Sequence, residues 1–217
     1  MTPMPRIDLP PSNSAARVVL RRLRSSDLSA FQAYRQDPQV QRYQGWLPMA
    51  DAQALAFLAE MSTAALLVPG EWCQIGIAAP VTDEPVREIH RGDMLSGDML
   101  IGDIGVCVAH DEQQAEVGIS LSPAYQGRGF ATAALRDAVR WIFHCTPVAQ
   151  VVGIVDARND ASIRLLPRVG MRSCATHNTT FRSEPRVEMT SVEIEFAIAR
   201  AESAVFDDEH RQHRSTC

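Results

Sequence analysis

The stretch Pro123-Ala124-Tyr125-Gln126-Gly127-Arg128-Gly129-Phe130-Ala131-Thr132 decides how this chain is read. Upstream of it, residues 115–122 alternate. Val117, Ile119 and Leu121 point one way, and Glu116, Gly118, Ser120 and Ser122 the other, which is the period of a half-buried strand. Downstream, Ala131, Leu135, Ala138 and Ile142 form the stripe of an amphipathic helix running to about residue 143. A strand therefore enters the stretch and a helix leaves it. Gly127 and Gly129 let the backbone turn tightly and approach a bulky anion. The first amides of the helix have no partner within it, and with the helix dipole they suit a pyrophosphate. Arg128 adds a positive charge. Turns of this kind also occur without a ligand, so the stretch alone does not settle function. Position 132 is Thr, which leaves a Gly-x-Gly-x-x-Gly dinucleotide fingerprint incomplete, and no Gly-Lys-Ser/Thr is present for a P-loop.

Working outward, a strand is expected at 17–23, with Val18, Leu20 and Leu23 as its apolar members. Ser25-Ser26-Asp27 then offers an N-cap for a helix over about 27–36, stopped before Pro38. Ala54, Leu55, Leu58, Met61 and Ala65 give a second helix over 50–66. Strands follow at 72–79 and 98–109, with a polar loop insertion at 83–98 between them. Beyond the long helix, 148–155 has strong strand composition. Asn159 caps a short helix, and Gly170 sits where a helix C-cap belongs. Segments 171–177 and 187–198 read as the last two strands. The order is β-α-α-β-β-β-α-β-α-β-β, an α/β (α+β) chain with a mixed, mostly antiparallel sheet of about seven strands and about four helices on its faces. A Pro- and Ser-rich flexible leader (1–15), one domain (16–200) and a polar tail (201–217) complete the organisation.

Composition narrows the function classes. Hydrophobic residues make up 46% and charged residues 22%, enough apolar material for one sizeable core and far from a disordered chain. No apolar run approaches a membrane span, and no apolar block follows Arg6 as a secretory signal requires. The net charge is −5 with no basic patch, which argues against a nucleic-acid partner and fits, weakly, a cationic substrate. The five cysteines are scattered without a Cys-x-x-Cys pair, which points to free thiols in a reducing cytoplasm. The histidines show no metal-ligand spacing, so no metal is expected.

Three segments together carry a family resemblance. Gln126, Gly129 and Ala131 fit the pyrophosphate pattern Gln/Arg-x-x-Gly-x-Gly/Ala. Residues 159–171, NDASIRLLPRVGM, fit Asn-x-x-Ser followed by a Leu-rich turn and Gly-Phe/Met. RVVLRRLRSSD, residues 17–27, fits an Arg-rich strand leading into an Asp-led helix. In this order the chain resembles, over about 16–200, the GNAT superfamily of acyl-CoA-dependent N-acetyltransferases, and within it the RimJ/RimL branch. The resemblance implies a central sheet splayed at the acyl-CoA site and acetyl-CoA as donor. A β-bulge would open the strand ending near Leu121, with Ile119 and Leu121 offering backbone to the pantetheine arm. Amides of Gly127, Arg128, Gly129, Phe130, Ala131 and Thr132 would carry the diphosphate, and Asn159 would bond the pantetheine as well as cap its helix.

The implied reaction is direct acetyl transfer to a primary amine, either a protein N-terminus or a small molecule. It needs a base for the amine and a proton for the departing thiolate. Glu116 is the candidate base; its alternative is a solvated strand residue. The family's usual tyrosine acid has no counterpart in 159–171, so Ser162 is the candidate there, and it can equally be a first-turn helix residue. Tyr43 and Trp46 would line the acceptor wall, or clamp two helices together. Glu184 and Glu188, near the last hairpin, could attract an amine or be plain solvated charges, and the second is the expected reading. A non-catalytic acyl-CoA-binding module stays open as the other class. The state expected is monomer or homodimer, with no nucleic-acid or membrane partner.

Overall fold

The computed structural model describes residues 17–80, 98–184 and 187–203, with side chains placed outside 180–190 and 203. The leader, nearly all of the 83–98 insertion, the tail beyond 203, and the side chains of Glu184 and Glu188 lie outside the described residues.

The elements are β1 (Val19–Arg22), α1 (Leu28–Arg35), α2 (Pro38–Gln41), α3 (Asp51–Thr63), β2 (Trp72–Pro80), β3 (Asp98–Val108), β4 (Gln114–Leu121), α4 (Phe130–Cys145), β5 (Gln150–Asp156), α5 (Asp160–Val169), β6 (Arg172–Glu184), β7 (Val187–Ala199) and α6 (Arg200–Ser203). Seven strands form one open, mostly antiparallel sheet in the order β1-β2-β3-β4-β5-β7-β6. The parallel pair is β4 with β5, joined through α4. α2 and α6, four residues each, were not expected from periodicity, because a single turn leaves none to read.

By internal contacts the chain divides into two units. The first comprises Met1–Leu66, Cys73–Gly105 and Ile119–Ala138. Its core gathers Leu23, Phe31, Tyr34, Leu58 and Leu100, and Phe31 stacks on Phe57 with ring centroids 5.7 Å apart. Asp27 does not cap α1 with its side chain. It ends a 3₁₀ turn, Ser25–Asp27, and its carboxylate accepts from the Arg24 amide at 2.8 Å and from both terminal nitrogens of Arg21 at 2.8 Å. In α3, Ala54, Leu58 and Met61 are buried, whereas Leu55 is 42% exposed. Leu55 lies one residue, about 100°, away from the Ala54–Leu58 stripe, which sets it off the buried face. Ala65 falls beyond the helix and is exposed.

The second unit comprises Leu67–Trp72, Val106–Gly118 and Val139–Cys217. β6 and β7 form a hairpin of 13-residue strands, paired from Arg172↔Ala197 to Glu184↔Val187. β6 runs seven residues past the expected end at 177, through Asn-Thr-Thr-Phe-Arg-Ser-Glu, because pairing with β7 satisfies its backbone where composition alone suggests a turn. Arg200 closes α4: its guanidinium donates to the carbonyls of Phe143, Thr146 and Val148 at the helix end, where a cation is favoured.

Candidate functional site

In the first unit, the glycine turn has the geometry its sequence calls for. Gly127 and Gly129 have φ of 70° and 85°, a region other residues enter at a cost. A Cβ built on Gly127 meets no atom within 4 Å, so the side of the turn facing that position is open. The first helical bond of α4 runs from the Ala133 amide to the Gly129 carbonyl, 3.1 Å. The amides of Phe130, Ala131 and Thr132 therefore precede the hydrogen-bond ladder and are not spent in it. Arg128 is exposed and lies over the rings of Tyr125 and Phe130, 5.5 and 5.2 Å from their centroids, which holds its charge beside the turn. Such a turn fits an anion with several acceptor oxygens.

The Gln126 side chain is tied to the end of β4: its Nε2 donates to the Leu121 carbonyl at 2.9 Å. The Ser122 amide donates to the Ile101 carbonyl, which turns the backbone of even-numbered residues at the end of β4 towards β3. By alternation, Ile119 and Leu121 present N–H and C=O to the opposite edge. There Gln44 Nε2 meets the Ile119 carbonyl at 3.3 Å. Both expected backbone contributors thus have a glutamine carboxamide on their oxygen.

Tyr43, Gln44 and Trp46 share the loop between α2 and α3. Trp46 packs on the core, with the Arg35 guanidinium 4.2 Å from its ring centroid. Arg35 is itself buried. It donates to Asp103 at 2.9 and 3.0 Å, and Tyr34 donates its hydroxyl proton to the same carboxylate. Tyr43 is half-buried beside Arg42.

In the second unit, the β4–β5 ladder pairs only Gln114, Ala115 and Glu116, with Gln150, Val151 and Val152. It ends at Glu116 although β5 runs to Asp156. Paired residues share a sheet face, so Glu116 lies on the face of Val152 and Ile154. Through Ile154↔Glu195 and Asp156↔Glu193 it also shares that face with two carboxylates of β7. Burial first, and then the charges of Glu193 and Glu195, hold the Glu116 carboxyl above the usual carboxylate range. Burial first, and then the Glu116 charge, also raise the Cys107 thiol. Glu195 is 3.2 Å from His177 Nε2, and Glu193 accepts from Thr179 at 2.8 Å.

Asn159 is the N-cap of α5: its Oδ1 accepts the Ser162 amide at 3.2 Å. Its Nδ2 protons are not committed to the cap. Gly170, at φ 100°, ends the helix. Leu166 of α5 lies where a side chain on Gly153 would point, which puts α5 on the face of β5 opposite Val152 and Glu116. The structure therefore gathers Tyr43, Trp46, Ile119, Leu121 and 126–132 in the first unit. It sets Glu116 and Ser162 on opposite sheet faces in the second. Glu193 and Glu195 were missed in the sequence, because only the β5–β7 register, a long-range fact, carries them to Glu116. Among the described residues no cluster of His, Cys, Asp and Glu is placed to hold a metal ion, and no helix is long and apolar enough to cross a membrane.

The sequence profile described as "Acetyltransferase (GNAT) domain" matches residues 17–172. An N-acetyltransferase of Bacillus subtilis, YoaA, named as uncharacterized, is 27% identical over 158 residues, covering 72% of this chain and 80% of that protein. Mycobacterium smegmatis RimJ, solved in complex with CoA-disulfide, superposes with a TM-score of 0.64 at 18% identity, covering 91% of each chain. Spermidine N-acetyltransferase of Vibrio cholerae, solved with CoA and spermine, does so with a TM-score of 0.62 at 16% identity, covering 86% of this chain and 97% of that one.

Proposed function

Because the chain belongs to the GNAT acetyltransferase family, we propose that it transfers the acetyl group of acetyl-CoA directly to a primary amine, as a RimJ/RimL-like enzyme whose acceptor is a protein N-terminus or a small-molecule amine. One observation carries this reading: the open turn with Gly127 and Gly129 at positive φ, leading into uncommitted helix amides beside Arg128.

The donor supplies an activated thioester carbonyl and a thiolate that leaves readily. The chain's residues do the rest. Amides from Gly127 to Thr132, with Arg128, bind the diphosphate. Ile119 and Leu121 offer their edge to the pantetheine amides, and Asn159 offers its free Nδ2 protons. Glu116 takes the proton that the attacking amine must lose, acting directly or through water. Its raised pKa brings it closer to that task than an ordinary surface carboxylate. The Ser162 hydroxyl donates to the sulfur as the C–S bond breaks and the C–N bond forms. Tyr43 and Trp46 wall the acceptor. Glu193 and Glu195 add negative charge on the Glu116 face, which favours a cationic amine.

The test is a panel of amines and N-terminal peptides with acetyl-CoA, reading free thiol and acetylated product. Transfer to at least one amine, lost in Gly129→Glu, is the expected result. Binding of acetyl-CoA with no turnover across the panel would make the chain an acyl-CoA-binding module instead.

A further inference from the structure

Residues Gln126 to Gly129 of the glycine turn are bracketed by two rings. Tyr125 ends the 3₁₀ turn Pro123–Tyr125, and Phe130 is the first residue of α4. The rings meet edge to face, with centroids 5.7 Å apart and planes at 70°. Aromatic pairs in that arrangement attract beyond the area they cover, so the contact ties the entrance of the turn to its exit. The Arg128 guanidinium completes a triangle with them, 5.5 Å from the Tyr125 centroid and 5.2 Å from that of Phe130.

The backbone gives Arg128 little guidance. It stands between Gly127 and Gly129, both at positive φ, and its long stem carries several free rotors. Its Nη1 donates to the Ala124 carbonyl at 3.4 Å, which is long for a hydrogen bond. The two rings supply the rest of the hold. A cation over a ring is drawn to the negative π face and spends no N–H on it, so the other guanidinium donors stay available. Arg128 is exposed, which leaves that charge open to a ligand. A guanidinium already in place also loses less rotamer freedom on meeting a phosphate than one gathered from solution. We propose that Tyr125 and Phe130 are positioning residues. Their rings hold the Arg128 guanidinium beside the turn before the donor arrives, and so raise affinity for the donor's phosphate end through Arg128 alone. The inference rests on the proposed use of acetyl-CoA.

Titration calorimetry with acetyl-CoA tests this on the full chain. The variants are Tyr125→Leu, Phe130→Leu, Tyr125→Phe and Arg128→Ala, with Tyr125→Leu and Phe130→Leu each also made in the Arg128→Ala background. Arg128→Ala should weaken binding by about 10-fold, the scale of a charge-assisted bond to phosphate. Each ring replaced by leucine should weaken it by about 3-fold, the scale of a cation–π contact at an exposed site. Tyr125→Phe keeps the ring and should match wild type. The two double variants decide the matter. With Arg128 gone, a ring that acts only by holding it has nothing left to hold, so each double variant should bind as Arg128→Ala alone does. If losing a ring costs the same factor without Arg128 as with it, the rings shape the turn itself, and the proposal is wrong while the functional reading stands. Ring variants that bind as wild type does would overturn it equally. If wild type does not bind acetyl-CoA, both fall.

Discussion

Glu116 is where two physical demands meet on one side chain. It is half-buried and faces Glu193 and Glu195, so its carboxyl holds a proton more tightly in the folded chain than in the unfolded one. For a carboxyl shifted in that direction the native state binds more protons between the two pKa values. Stability therefore falls as pH rises from the ordinary carboxylate range through the folded value. Glu116→Gln removes the charge but keeps the shape. It should be the more stable at pH 7, by an amount that solvent screening keeps small, and the gain should shrink as pH falls and the wild-type carboxyl takes up its proton. Urea denaturation at pH 7 and pH 4 checks this, and an equal gain at each would place the effect outside the charge. The same substitution should cut kcat on the order of 10²-fold with little change in acetyl-CoA affinity, if the carboxylate takes the amine proton. Full activity from pH 6 to 9 would remove Glu116 from the chemistry. Ser162 answers to a different split. Its amide already bonds Asn159, so Ser162→Ala leaves the cap in place. Loss of kcat at constant acetyl-CoA affinity is expected of a proton donor to sulfur, whereas weaker affinity at constant kcat marks a pantetheine contact.

Between elements, α1 is fastened to β3 through one buried carboxylate. Asp103 receives Arg35 and Tyr34 from successive positions of α1, and all three side chains are almost fully buried. Asp103→Ala strands a buried guanidinium and should cost about 3–5 kcal/mol. A loss below about 1 kcal/mol in urea, the level of an exposed pair, would show that the network adds nothing to the docking of α1. Strands and long helices were legible in the sequence because period reports which face is buried, and the boundaries of β2, β4 and α4 fall within two residues of the reading. Asp103 was not legible as a partner of Arg35, since 68 residues separate them and no local pattern marks the pair. The same holds for β6: its polar second half forms a strand only because β7 lies beside it. In the candidate site, the glycine turn and the Asn159 cap were readable because their chemistry is local. The two glutamines on the β4 edge and the carboxylates of β7 were not, because each depends on which strand or loop the fold brings alongside.

For the molecule as a whole, the turn between β4 and α4 predicts a linkage between ligand and stability. A ligand that binds the folded chain and not the unfolded one stabilises it by an amount set by its concentration relative to its dissociation constant. At 100-fold excess over that constant acetyl-CoA should add about 2.7 kcal/mol. For a chain of 217 residues that corresponds to a rise in Tm of about 5–10 °C, taking a shift of 2–4 °C per kcal/mol. The phosphate end of the ligand should carry much of this, since Gly127 to Thr132 present amides and Arg128 presents charge. Gly129→Glu tests that assignment in two ways. It places a side chain at φ 85°, which strains the backbone, and it sets a carboxylate on the proposed diphosphate seat. The strain lowers the Tm of the free variant, whereas the like charge abolishes the ligand-dependent rise, so the two effects separate in a titration. Gly129→Ala brings the strain without the charge and should keep part of the rise. A wild-type Tm that does not move at millimolar acetyl-CoA, or a Gly129→Glu variant that responds as wild type does, would mean that the turn is not the phosphate seat.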